Sequence, residues 1–116
     1  MAKVSGIGGI FFRAKDPDAL AKWYLDHFGV GNGPDWTLWM QEAGQTVFQP
    51  FKADTTHFRA DRTHMLNFRV DDAKALVAEL TAAGIAVKLL DDETYGIFAH
   101  LEDPEGNPIE LWQPPV

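Results

Sequence analysis

The chain has 116 residues and a mass of 12.9 kDa, a length that suits one domain with a substantial core. Its 17 acidic and 10 basic residues give a formal net charge of −7, so it lacks the basic surface that nucleic acid or an anionic membrane would need. There are no cysteines, which excludes disulfides, cysteine nucleophiles and thiolate metal ligands. Because no long apolar run occurs at the N-terminus or elsewhere, the sequence predicts a cytoplasmic protein without a membrane span.

The first half of the chain has the pattern of a strand, a helix and further strands. Residues 9–14 form an apolar run with aromatic and β-branched members, which predicts a strand. Asp16 followed by Pro17 is typical of a helix start, and the apolar stripe at helical spacing that follows predicts a helix that ends at Gly29 or Gly31. Short strands are expected around residues 36–41 and 45–49.

The second half repeats this pattern. Residues 12–20 read Phe-Arg-Ala-Lys-Asp-Pro-Asp-Ala-Leu, and residues 68–76 read Phe-Arg-Val-Asp-Asp-Ala-Lys-Ala-Leu. A strand is expected over 65–70, followed by a helix that begins after Asp72 and ends at Gly84. The remaining strands are expected at 85–90, 96–101 and 108–112. The duplication predicts two β-α-β-β-β modules, approximately residues 1–58 and 59–116, that share one core.

Three segments of the chain resemble a known family. They are Asn67-Phe-Arg-Val-Asp-Asp, Tyr95-Gly-Ile-Phe-Ala and Asp103-Pro-Glu-Gly-Asn-Pro-Ile-Glu-Leu-Trp-Gln-Pro. In these segments the sequence resembles the glyoxalase, bleomycin resistance protein and extradiol dioxygenase superfamily, which is also called the vicinal oxygen chelate superfamily. The resemblance implies one glyoxalase-like domain over residues 1–116, of the α+β class, whose two modules form a curved, incomplete barrel-like mixed sheet around a cavity. It leaves the chemistry open, because this fold hosts isomerases, dioxygenases and drug-binding proteins.

The resemblance also implies where a metal would lie. In metal-dependent relatives four inward positions supply His or Glu, and here those positions carry Gly9, Thr46, Met65 and Glu110. One carboxylate and a thioether do not hold a divalent ion against water, so we expect no metal at the family position and no other cofactor. A rearranged site of His64, His100 and Glu110 stays open, although strand alternation points His64 away from the cavity unless a bulge re-aims it.

Strand parity, counted outward from the family positions, predicts a pocket that is mostly apolar with a few polar points, which is typical of small-molecule sites. Its candidate lining residues are Phe11, Thr46, Phe48, Met65, Asn67, Phe98, His100, Glu110 and Trp112. A buried Glu110 needs a partner, and Arg13, Arg69, His100, solvent or a ligand are the candidates. His57 lies in the polar stretch from Lys52 to Arg62, and no sequence pattern assigns it to the pocket.

Three functions follow as hypotheses. The first is binding of a small organic molecule without the family's metal. The second is a lyase, isomerase or dioxygenase-type enzyme of the same superfamily, with Glu110 either as a general base whose pKa is raised by burial or as a ligand of a rearranged metal site. The third is a domain whose main partner is itself or another protein. The resemblance and the four Trp and eight Phe, more than so small a core easily hides, also predict a homodimer.

Overall fold

The chain folds, in a computed structural model, into helices that cover one open sheet, and residues 2–33, 35–92 and 94–116 are described. In those ranges the elements are α1 (Pro17–Phe28), β1 (Leu66–Arg69), α2 (Ala73–Ala82), β2 (Lys88–Asp92), β3 (Gly96–Glu102) and β4 (Pro108–Gln113). The strand order is β1-β4-β3-β2, with β1 parallel to β4 and the other pairings antiparallel. The fold is α+β with a mixed sheet that is not closed, as the sequence predicts. Neither α1 nor α2 is long and apolar enough to cross a membrane.

Both helices begin and end where their capping residues predict. The Asp16 carboxylate accepts a hydrogen bond from the Ala19 N–H at 3.1 Å, and the Asp72 carboxylate accepts one from Ala75 at 3.0 Å. Each bond satisfies a backbone donor that the first helical turn leaves without a partner. The first helix ends at Gly29, whose φ of 65° is the left-handed conformation that glycine adopts without strain.

The core lies on one face of the sheet, beneath both helices. Its buried members are Leu20, Tyr24, Leu80, Ala99, Leu101, Ile109 and Leu111. Because side chains alternate along β3 and β4, the intervening residues of these strands point to the opposite face. That opposite face carries no helix in the described chain and is where the polar residues of the sheet converge.

The tight turn between β3 and β4, residues 103–107, anchors the first helix. The buried Tyr24 hydroxyl donates to Asp103 Oδ2 at 2.6 Å, and burial together with this bond raises the pKa of Tyr24 far above its ordinary value. The Glu105 carboxylate accepts from the backbone N–H groups of Lys15 and Asp16 at 2.6 and 3.1 Å. The turn therefore holds α1 both at its start and along its length.

The strands predicted in the first half are not paired in the single chain. Residues 9–14, 36–41 and 45–49 form no ladder with any described strand. The physical reason is that a strand forms only when its backbone groups hydrogen-bond to a neighbour, and pattern alone does not supply the neighbour. Their large apolar side chains are exposed instead, and these include Ile10, Phe11, Phe12, Leu38, Trp39, Met40, Val47 and Phe48.

Candidate functional site

Two rows of side chains cross the helix-free face of the sheet. The register aligns Asn67, Glu110 and His100 across β1, β4 and β3. The next row on the same face aligns Arg69, Trp112 and Phe98, and the Trp112 and Phe98 rings lie nearly parallel with centroids 6.4 Å apart. A polar row thus lies directly beside an aromatic pair.

The carboxylate of Glu110 is the centre of the polar row. The residue is 7% exposed, and its Oε1 accepts a hydrogen bond from Asn67 Nδ2 at 2.7 Å. Its Oε2 lies 2.6 Å from His100 Nε2 and 2.9 Å from His57 Nε2. An ionised carboxylate only accepts hydrogen bonds, so both Nε2 atoms donate to the same oxygen.

These hydrogen bonds set the charge state of Glu110. Burial raises the pKa of Glu110, but hydrogen bonds from His100, His57 and Asn67 outweigh it and hold the pKa below its ordinary value of 4.5. The expectation that burial raises the pKa of Glu110 is therefore wrong. At neutral pH Glu110 is an ionised acceptor whose three donors lower its basicity.

His57 reaches Glu110 from a loop that the turn after β3 holds in place. Arg59 Nη1 donates to Glu102 Oε1 at 3.2 Å and to the Gly106 carbonyl at 3.0 Å. Arg62 Nη2 donates to the Glu105 carbonyl at 3.1 Å. Gly106 has a φ of 82°, and a Cβ there would lie only 2.7 Å from Arg59 Nη1, so glycine permits this close approach.

The His57 ring contacts two other rings. Its ring meets Phe51 edge to face at 5.2 Å and lies 5.3 Å from the His100 ring. An open depression of about 410 Å³ borders this point, lined by residues between Gln49 and His57.

The structure brings together only part of the predicted pocket. The residues on β1, β3 and β4 share one face, and they are Asn67, Phe98, His100, Glu110 and Trp112. Met65 is half-buried just before β1. In contrast, Phe11 and Phe48 are 95% and 86% exposed and Thr46 is exposed, so these three line no closed pocket within one chain.

The family's metal positions do not fit an ion in this chain. Gly9 offers no side chain, and a Cβ built there would meet only the Phe11 ring. Thr46 is exposed and Met65 offers a weak thioether, which leaves Glu110 as the one strong ligand of the set.

Two expected partners of Glu110 lie elsewhere. Arg69 Nη2 donates to the Glu42 carbonyl at 2.9 Å, and Arg13 is exposed. His64 is exposed, with Nδ1 2.8 Å from Thr63 Oγ1, so the third member of the cluster is His57 and not His64. Sequence reasoning misses His57 because parity assigns faces only within strands. The position of its loop depends instead on Arg59, which contacts a residue 43 positions away.

The described chain therefore combines an open mixed sheet, with α1 and α2 on one face, and a carboxylate of its last strand at the centre of the other face. The chain matches the Glyoxalase-like domain family over residues 9–112 and belongs to that family. A comparison with curated proteins found no match.

Solved structures share this fold over nearly the whole chain. An antibiotic binding protein, TnmS3 from Streptomyces sp. CB03234, is 23% identical with a TM-score of 0.64, over 98% of this chain and 99% of that one. A lactoylglutathione lyase from Agrobacterium tumefaciens is 20% identical with a TM-score of 0.61, over 97% and 96%. A glyoxylase/bleomycin resistance protein/dioxygenase domain from Frankia sp. EAN1pec is 16% identical with a TM-score of 0.60, over 97% and 99%.

Proposed function

We propose that this glyoxalase-like protein binds a small organic molecule on the helix-free face of its sheet. The observation that carries the proposal is the juxtaposition on that face of a buried carboxylate and an aromatic pair, Phe98 and Trp112. Pockets for small molecules combine apolar walls with a few oriented polar groups, and this face has both. The likeness of the chain to an antibiotic binding protein supports the same reading.

The proposal includes a homodimer in which a second copy supplies the opposite wall. One chain has an accessible surface of 9210 Å², whereas a folded monomer of its mass exposes about 6300 Å². The excess, about 2900 Å², is more than three times the ~800 Å² that each partner buries in a standard interface. Much of the exposed apolar surface lies in residues 4–12 and 36–51.

In this arrangement each pocket is composite. Phe11, Thr46 and Phe48 belong to the proposed module 1–58, and in a dimer they would cover the Glu110 face of the partner's module 59–116. The segments that pair with no strand of their own chain could pair with a second copy. Their backbone N–H and C=O groups would then have hydrogen-bond partners.

The test uses Trp112 as a fluorescence reporter. We expect some member of a panel of small carbonyls, aromatics and amphiphiles to quench the emission of the wild-type protein. The quenching should disappear in Trp112→Phe, which separates Trp112 from the other three tryptophans.

Glu110→Gln then identifies the kind of ligand, because it removes the charge and keeps the shape. A neutral ligand should bind this variant almost as tightly, whereas a cationic or proton-donating ligand should lose about 1.5–3 kcal/mol. If no compound changes the emission and Glu110→Gln alters only thermal stability, Glu110 has a structural role and the binding proposal fails.

A further inference from the structure

The two histidines and the carboxylate form a convergent set of ligand atoms. His57 Nε2, His100 Nε2 and a Glu110 carboxylate oxygen all lie within 4.8 Å of one another. We propose that His57, His100 and Glu110 bind one divalent transition-metal ion. The site shares only Glu110 with the four positions of the metal-dependent relatives and takes both nitrogen ligands from outside them.

The donor set favours a borderline metal. Two imidazoles and one carboxylate suit Zn²⁺, Co²⁺, Ni²⁺ or Fe²⁺, whereas Mg²⁺ and Ca²⁺ prefer oxygen ligands alone. Three protein ligands leave coordination positions for water or for an oxygen of a bound molecule. The His57 side chain is 41% exposed, so solvent reaches this side of the cluster.

The ligand atoms are already close enough for one ion to join them after a small movement. Two ligand atoms bound at about 2.1 Å and at a tetrahedral angle lie about 3.4 Å apart. The Glu110 Oε2 atom is 2.6 and 2.9 Å from the two Nε2 atoms, so each histidine would move away from it by about 0.5–0.8 Å to admit the ion. Each histidine would bind the metal as the neutral tautomer that carries its proton on Nδ1. In that tautomer Nε2 has a free lone pair that can coordinate the ion.

Each ligand is held by a second group. Asn67 Nδ2 binds Oε1 of Glu110 and leaves Oε2 directed at the histidines. The pairing of β3 with β4 fixes His100 opposite Glu110, and Arg59 anchors the loop of His57. Such outer contacts orient metal ligands, and their loss commonly costs about tenfold to a hundredfold in affinity.

The experiment uses the metal alone and does not depend on the proposed organic ligand. The chelator-treated full-length protein is titrated with Co²⁺, followed by visible absorption, and with Zn²⁺, followed by calorimetry. We expect one ion per chain, with affinity lowered at least about tenfold in Asn67→Ala and by more than that in His57→Ala, His100→Ala and Glu110→Gln, which each remove a ligand. His64→Ala is the matched control and should bind as the wild type does, because His64 is exposed and bonded to Thr63.

Glu110→Gln or His100→Ala could fail to fold, because both residues lie on strands of the sheet. His57 lies on a loop and is partly exposed, so His57→Ala should fold and keeps the test decisive. Circular dichroism checks that each variant is folded. Sub-stoichiometric binding at micromolar metal overturns the proposal. So does a His57→Ala variant with wild-type affinity, or a His64→Ala variant that loses as much as His57→Ala. The organic-ligand proposal would stand or fall separately, because the Trp112 screen is run on metal-free protein.

Discussion

Glu110 remains charged while almost fully removed from water because Asn67, His57 and His100 all donate to it. A buried carboxylate without donors would instead have its pKa raised and would lose its charge near neutral pH. The residue is therefore better suited to bind a cation or a donor group than to abstract a proton.

The pH dependence of stability follows from the lowered pKa of Glu110. Its folded-state pKa lies below the ordinary value of 4.5, so the charged form stabilises the fold above that pH. This stabilisation is lost as the pH falls through the folded-state pKa. We expect Glu110→Gln to unfold about 1–3 kcal/mol more easily than the wild type above about pH 5, with the difference shrinking as the pH falls below 4.5.

Urea unfolding at a series of pH values measures this difference. Glu79→Gln, an exposed carboxylate on α2, is the control and should show little change with pH. A Glu110→Gln difference that does not shrink as the pH falls below 4.5 would contradict the assigned cause.

Regular elements with local signals are the part of the fold that the sequence predicts best. Asp16 and Asp72 mark the starts of the two helices. The alternation of side chains along a strand assigns Asn67, His100 and Glu110 to one face of the sheet, and the structure has them there. The loop that carries His57 has no such periodicity. Its placement depends on distant hydrogen bonds that composition and spacing do not encode.

The anchoring of that loop can be tested with Arg59→Ala. This change removes the bonds to Glu102 and to the Gly106 carbonyl, so His57 should leave Glu110 for part of the time. Amide hydrogen exchange over residues 55–60 should become at least about tenfold faster. Arg13→Ala, at an exposed position of the first half, should leave this exchange unchanged. Equal exchange in both variants would show that Arg62 and the aromatic contacts hold the loop without Arg59.

At the scale of the whole molecule, the two halves of the sequence carry the same pattern but differ in the structure. Residues 66–113 form a paired sheet, whereas the strand-like segments of the first half do not pair. Alternation predicts which residues favour a strand, but it does not say which chain supplies the partner. The sequence therefore predicts correctly only the part of the pocket that lies on β1, β3 and β4, because Phe11 and Phe48 are exposed in segments that pair with no described strand.

Sedimentation tests the assembly directly. We expect the wild-type protein to sediment as a dimer at micromolar concentration and Phe48→Asp to shift it to the 12.9 kDa monomer, because a charge in an apolar interface is costly. Val116→Asp changes another exposed apolar residue and should leave the dimer intact. A wild-type protein that sediments at 12.9 kDa would refute the composite pocket.

The turn of residues 103–107 has a consequence for mutational scanning. It receives Tyr24 from α1 on one side and Arg59 from the His57 loop on the other. Substitutions in this turn would disturb helix docking and the loop together, and a scan scored by binding alone would count them as ligand contacts. Scoring each variant for abundance as well as for binding would identify the turn residues as scaffold, because their substitution should lower both.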